Sequence, residues 1–133
     1  MAKEQYVTYE TAKLLKEKGF PQSTSICNVV YKPNGKMSFN AKSFINPHYF
    51  FKDCYIFAPT QQMALCWLRE EHDIDIIPVI RHSLKYAQES PFRDYACRVY
   101  DCDGNTVLSA TKWYSRYENA VEAALQYCLI NLL

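Results

Sequence analysis

Residues 7–21, VTYETAKLLKEKGFP, hold both a helix start and a helix stop, and no other stretch constrains the fold as tightly. Thr8 is placed to cap the helix, its side-chain oxygen accepting a free backbone N–H of the first turn. Glu10 sits near the positive end of the helix dipole, and Lys16 and Lys18 near the negative end. Gly19 suits the left-handed conformation that closes a helix. Phe20 then folds back on Leu15, and Pro21 bars continuation. Val7, ahead of the cap, is set to touch Ala12 as a hydrophobic staple. The pattern predicts a helix over Thr8–Lys18.

Further elements follow from periodicity and turn chemistry. Ile26–Tyr31 is rich in β-branched residues and reads as a strand. Pro33-Asn34-Gly35 is a turn, and Lys36–Phe39 returns from it. Residues 40–58 crowd Phe44, Ile45, Tyr49, Phe50, Phe51, Tyr55, Ile56 and Phe57 together, with Tyr55–Phe57 a short buried strand. Pro59 suits the first turn of a second helix, Pro59–His72, whose apolar stripe is Met63, Ala64, Trp67 and Leu68. Ile74–Ile80 is a strand that Pro78 confines to a sheet edge or a bulge. Residues 82–93 read as a loop or an irregular turn of helix. Tyr95–Asp101 alternates, with Tyr95, Cys97 and Val99 on one face, and Asp103-Gly104 turns it into Thr106–Trp113. Ser115 and Glu118 have capping-box spacing before the last helix. That helix aligns Tyr117, Val121, Ala124, Leu125, Cys128 and Leu132, and Leu129, Ile130 and Leu133 widen the stripe.

The order α-β-β-α-β-β-β-α, with the short Tyr55–Phe57 strand added before the second helix, defines an α+β class. The expected architecture is one domain over 1–133, an antiparallel sheet of about five strands with three helices mainly on one face. A chain of 133 residues can bury a real core.

Composition excludes several function classes. The three glycines, Gly19, Gly35 and Gly104, are all taken by a cap or a turn, so no glycine-rich phosphate loop can be built. The opening MAKEQYVTYE has no signal-peptide character, and no apolar run reaches the roughly 18 residues of a membrane span. The expectation is a soluble cytoplasmic protein without membrane contact. The six cysteines, Cys27, Cys54, Cys66, Cys97, Cys102 and Cys128, form no C-x-x-C pair and read as reduced structural thiols. His72, Asp73 and Asp75, with Glu70 and Glu71 nearby, form a polar helix end. A solvated surface is favoured there over a metal site, and no cofactor is expected. Cys54 and His48 are the only sequence-near pair with nucleophile–base chemistry, and no nucleophile motif surrounds Cys54.

Net charge is +1 but uneven, with eight Lys against three Glu in residues 1–52. Lys13, Lys16, Lys18, Lys32, Lys36 and Lys42, interleaved with Tyr31, Phe39 and Phe44, form the candidate nucleic-acid face. That half has no Arg, the residue sequence readers usually use. Aromatic residues make up 15% of the chain, which serves core packing and also suits a protein interface.

Three blocks, TYETAKLLKEKGF (8–20), FAPTQQMALCWLREEH (57–72) and YENAVEAALQYCLINLL (117–133), resemble a group of short proteins abundant in gut-anaerobe genomes and their phages and prophages. The resemblance implies a mobile-element origin and a single-domain soluble protein. It brings no activity and no catalytic residue.

The function expected from these residues is a non-catalytic binding or protein-interaction module whose partner is a host or phage protein. A second copy bound through Leu129, Ile130 and Leu133 is a further partner. The alternatives are a nucleic-acid or nucleotide binder using the Lys-rich half, and a small Cys54/His48 enzyme.

Overall fold

In the computed structural model, which describes residues 5–23, 29–39, 55–82 and 93–133, helix α1 (Tyr9–Glu17) begins as its sequence requires. Thr8 Oγ1 accepts the Thr11 N–H at 3.3 Å. The helix ends in a Schellman turn. The Phe20 N–H reaches Leu15 O at 2.9 Å and the Gly19 N–H reaches Lys16 O at 3.2 Å, with Gly19 at φ 96°. Phe20 and Leu15 are both buried.

Strands β1 (Val30–Tyr31), β2 (Met37–Ser38) and β3 (Ile56–Phe57) form one antiparallel sheet in the order β2-β1-β3. Helix α2 (Gln61–His72) follows. Strands β4 (Asp75–His82), β5 (Arg93–Tyr100) and β6 (Thr106–Leu108) form a second antiparallel sheet in chain order, and helix α3 (Tyr117–Asn131) closes the described chain. The α+β class holds. The expected single sheet of about five strands does not, because the strands divide into two sheets of three. The first sheet rests on α1 through β3, the second rests on α3, and α1 packs on α3, so helices join the two sheets.

Both hairpins use the same turn. Gly35 (φ 83°) donates to Lys32 O at 2.8 Å and Lys32 N–H donates to Lys36 O at 2.9 Å. Gly104 (φ 79°) and Asp101 repeat the pattern, at 3.0 Å to Asp101 O and 2.9 Å from Asp101 N to Asn105 O. Asp101 Oδ1 also accepts the N–H groups of Asp103 and Asn105.

Two helix starts differ from expectation. The cap of α2 is Thr60, whose side chain accepts the Met63 N–H at 3.2 Å, so Pro59 stands outside the helix and not in its first turn. Its carbonyl accepts the Val7 N–H instead. The capping box at Ser115 does not form. Arg116 takes the cap position with no side-chain cap bond, and its guanidinium draws Glu118 away at 2.9 Å. An ion pair outcompetes the reciprocal cap.

The core is one cluster. Leu15 of α1, Val30 of β1, Leu68 of α2, Val99 of β5, and Leu125 and Leu129 of α3 are all fully buried in it. Each such burial contributes about 1.5–3 kcal/mol. On α3, Ala120, Val121, Ala124, Leu125, Cys128 and Leu129 are buried. Leu129 of the expected docking end is thus fully buried in this core. Ile130 on the opposite side is 62% exposed, and Leu133 is half-buried.

Candidate functional site

The stripe expected on α2 divides into two faces. Ala64 and Leu68 turn inward and are fully buried. Met63 and Trp67, one position earlier in each pair, turn toward a groove of about 240 Å³ on the surface. The Schellman turn of α1 supplies the opposite wall, because the left-handed Gly19 brings Phe20 and Pro21 against α2. Trp67 is held edge-to-face by Phe20 at 5.4 Å and by the His72 ring at 4.7 Å. Cys66, Glu70 and Glu71 complete the rim, with both carboxylates exposed.

The Cys66 thiol is held above its ordinary range, chiefly by its hydrogen bond to the Glu70 carboxylate, so it stays protonated. Burial pushes Cys97 up to about 11 and Cys128 up to about 12, which removes both as nucleophiles. Cys102 lies exposed in the β5–β6 turn. Among the described residues no three of His, Cys, Asp and Glu converge to hold a metal. Asp75 pairs with Arg69 at 3.4 Å. A volume near 240 Å³ is also below the roughly 300–1,000 Å³ of ordinary small-molecule sites.

The lysine-rich candidates are placed as follows. Lys13 is exposed, with its ammonium 5.4 Å from the centroid of the Tyr9 ring. Lys16 and Lys18 donate to Tyr55 O at 3.4 Å and Leu133 O at 3.1 Å. Lys32 and Lys36 flank the β1–β2 turn, and Phe39 is 62% exposed. Tyr31 is buried, its ring edge-on to Tyr9 at 5.4 Å and its hydroxyl donating to Val7 O at 2.6 Å. Burial, with Glu122 nearby, raises its pKa. Tyr31 belongs to the core cluster. Lys42, Phe44, His48 and Cys54 fall outside the described residues, and with them the Cys54/His48 pair.

Sequence reading missed a polar seam at the junction of the three helices. Glu122 of α3 accepts from Thr8 N, Thr8 Oγ1, Thr11 Oγ1 and Gln61 Nε2, and Gln126 donates to Thr11 Oγ1 at 3.0 Å. The available signal was Glu122 and Gln126 four residues apart on a helix whose neighbours Val121, Ala124 and Leu125 are apolar. This seam is hydrogen-bonded throughout, and among the described residues no buried side-chain polar atom lacks a partner. It joins α1, α2 and α3.

No helix among the described residues is long and apolar enough to cross a membrane. Comparison with known protein families, with curated proteins and with solved structures finds no match to this chain.

Proposed function

We propose that this chain is a non-catalytic protein-interaction module that seats a segment of a partner protein in the groove beside Trp67. The carrying observation is the groove itself: an apolar floor of Phe20, Met63 and Trp67, open to solvent, with its thiol held protonated. Aromatic anchors of this kind dominate binding energy at protein interfaces. The partner is a host or phage protein encountered in the cytoplasm, in keeping with the mobile-element resemblance of the three helical blocks.

The test compares the chain with its Met63→Glu variant as bait in host lysate, each with and without nuclease. Met63 is only half-buried, so a charge there changes the groove more than the core. A protein retained by the unsubstituted chain after nuclease, and lost by the variant at unchanged circular dichroism, supports the reading. Retention unaffected by Met63→Glu removes the groove from the function. Retention abolished by nuclease transfers the function to the lysine-bearing surface of Lys13 and Lys36.

A further inference from the structure

Helix α2 carries both signs of charge in its last turn, where Arg69 and His72 suit the negative end of the dipole and the neighbouring carboxylates oppose it. Its first turn has no acidic residue, whereas Glu70 and Glu71 stand in the last turn, where the dipole is negative. Carboxylates at that end cost stability, and local rules are most often broken where a surface serves something other than folding. Both carboxylates line the groove at its rim, while the floor is apolar. The nearby cation on the same helix, Arg69, is directed to Asp75 at 3.4 Å. Glu70 lies one helical turn beyond Cys66, and both line the groove with Trp67.

We infer that the groove selects a partner segment in which one large apolar side chain is followed closely by Lys or Arg. The inference rests on the interaction reading and adds the chemistry of its partner. The apolar side chain lies on Trp67 and Phe20, and the cation meets Glu70 and Glu71. Charge complementarity at the rim then sets specificity and the rate of encounter, and the aromatic floor supplies the anchor. Because these carboxylates are exposed, the cation preference weakens as salt is added.

The test uses short synthetic peptides with one Met or Leu anchor followed by paired Lys, and the same peptides with Gln or Glu in place of Lys. Binding to the full chain is read by calorimetry, and by Trp67 fluorescence in a Trp113→Phe background, since the only tryptophans are Trp67 and Trp113. The Lys peptide is expected to bind about tenfold tighter than the Gln peptide, and the Glu peptide more weakly still. In Glu70→Gln/Glu71→Gln the preference for Lys over Gln collapses, while binding that depends on the anchor persists and the thermal midpoint rises. Equal binding of all three peptides, lost in Met63→Glu, overturns the cation selectivity and leaves the interaction reading standing. Absence of binding by any peptide, together with lysate capture indifferent to Met63→Glu, overturns both.

Discussion

Glu122, on α3, accepts both the backbone N–H and the hydroxyl of Thr8 at the start of α1, at 3.2 and 3.1 Å. In an ordinary capping box the carboxylate comes from the third residue of the same helix. Here that position is Thr11, which donates its own hydroxyl to Glu122 at 2.6 Å. The cap is thus built between two helices 114 residues apart in sequence, and it doubles as a tertiary tie. Charge-assisted bonds of this kind are stronger than neutral ones, and a carboxylate at a helix N-terminus also complements the dipole.

Replacing Glu122 with Ala is expected to lower unfolding free energy by about 2–3 kcal/mol, and Glu122→Gln by about 1–2 kcal/mol. Urea titration measures both. In a double-mutant cycle Thr8→Ala and Glu122→Ala should couple by about 1 kcal/mol. Strict additivity of the two would mean that the carboxylate does not act through the cap.

Asp73 is the only non-glycine with positive φ among the described residues, at 54°. It ends α2 with its N–H on Leu68 O, so it combines backbone strain with a negative charge at the negative end of the helix. Asp73→Gly relieves both and is expected to stabilise by about 0.5–1 kcal/mol, raising the thermal midpoint by a few degrees. Asp73→Val should move it the opposite way by a larger amount. Scanning calorimetry of the pair checks the claim, and a lower midpoint for the glycine variant would refute it.

The thiols should separate cleanly. Among the described thiols, exposed Cys102 is expected to react first with a maleimide, Cys66 more slowly because Glu70 holds its proton, and buried Cys97 and Cys128 only on unfolding. Peptide mapping of labelled protein gives the order. Cys97 and Cys128 titrate at about 11 and about 12 in the folded state, against 9.0 as the reference. The unfolded chain therefore loses these protons first. The stabilisation is intact below about pH 9 and declines as pH rises toward the folded values. Cys128→Ala should flatten the fall in denaturation midpoint above pH 9, and an unchanged slope would discount this thiol.

What could be read from sequence was what the backbone settles locally. The cap at Thr8, the Schellman turn at Gly19 and the Asn34-Gly35 and Asp103-Gly104 turns each depend on a few adjacent residues, and all formed. Periodicity found the helix of Met63 and Trp67 but not the division between Ala64 and Leu68 in the core and Met63 and Trp67 at the groove. That division depends on where Phe20 arrives from α1. Glu122 was illegible for the same reason, since its partners come from the far end of the chain. Ser115 failed because a cap must compete with every other partner in reach, and Arg116 offered Glu118 a charge. The two sheets were read as one because local hairpin signals do not say which strands meet across the chain. The groove has its chemistry on α2, but its second wall is invisible without the packing of α1.

Pro78 offers the last test, and it turns on the direction of single backbone groups. The register pairs Pro78 with Cys97. Cys97 sends its N–H to Thr111 Oγ1 at 2.9 Å and receives the Thr111 N–H on its carbonyl at 2.8 Å. Tyr95 likewise exchanges both bonds with Tyr114. Backbone groups of alternate residues point to opposite sides of a strand, so Cys97 and Tyr95 face away from β4, and their partners Pro78 and Ile80 direct their own groups to the outer edge. The missing N–H of proline therefore costs no bond within the sheet. It falls instead on the side that another strand would use, on an eight-residue strand that is an edge among the described strands and whose Ile77 and Ile80 are 47% and 54% exposed. A proline there is a known guard against edge-to-edge association. Pro78→Val restores the donor and raises strand propensity, and is expected to shift sedimentation toward dimers and larger species as concentration rises. Adding Ile80→Lys to that variant should reverse the shift, because a charge on the open edge opposes pairing. If Pro78→Val sediments like the unsubstituted chain at every concentration, the proline is not what keeps β4 unpaired.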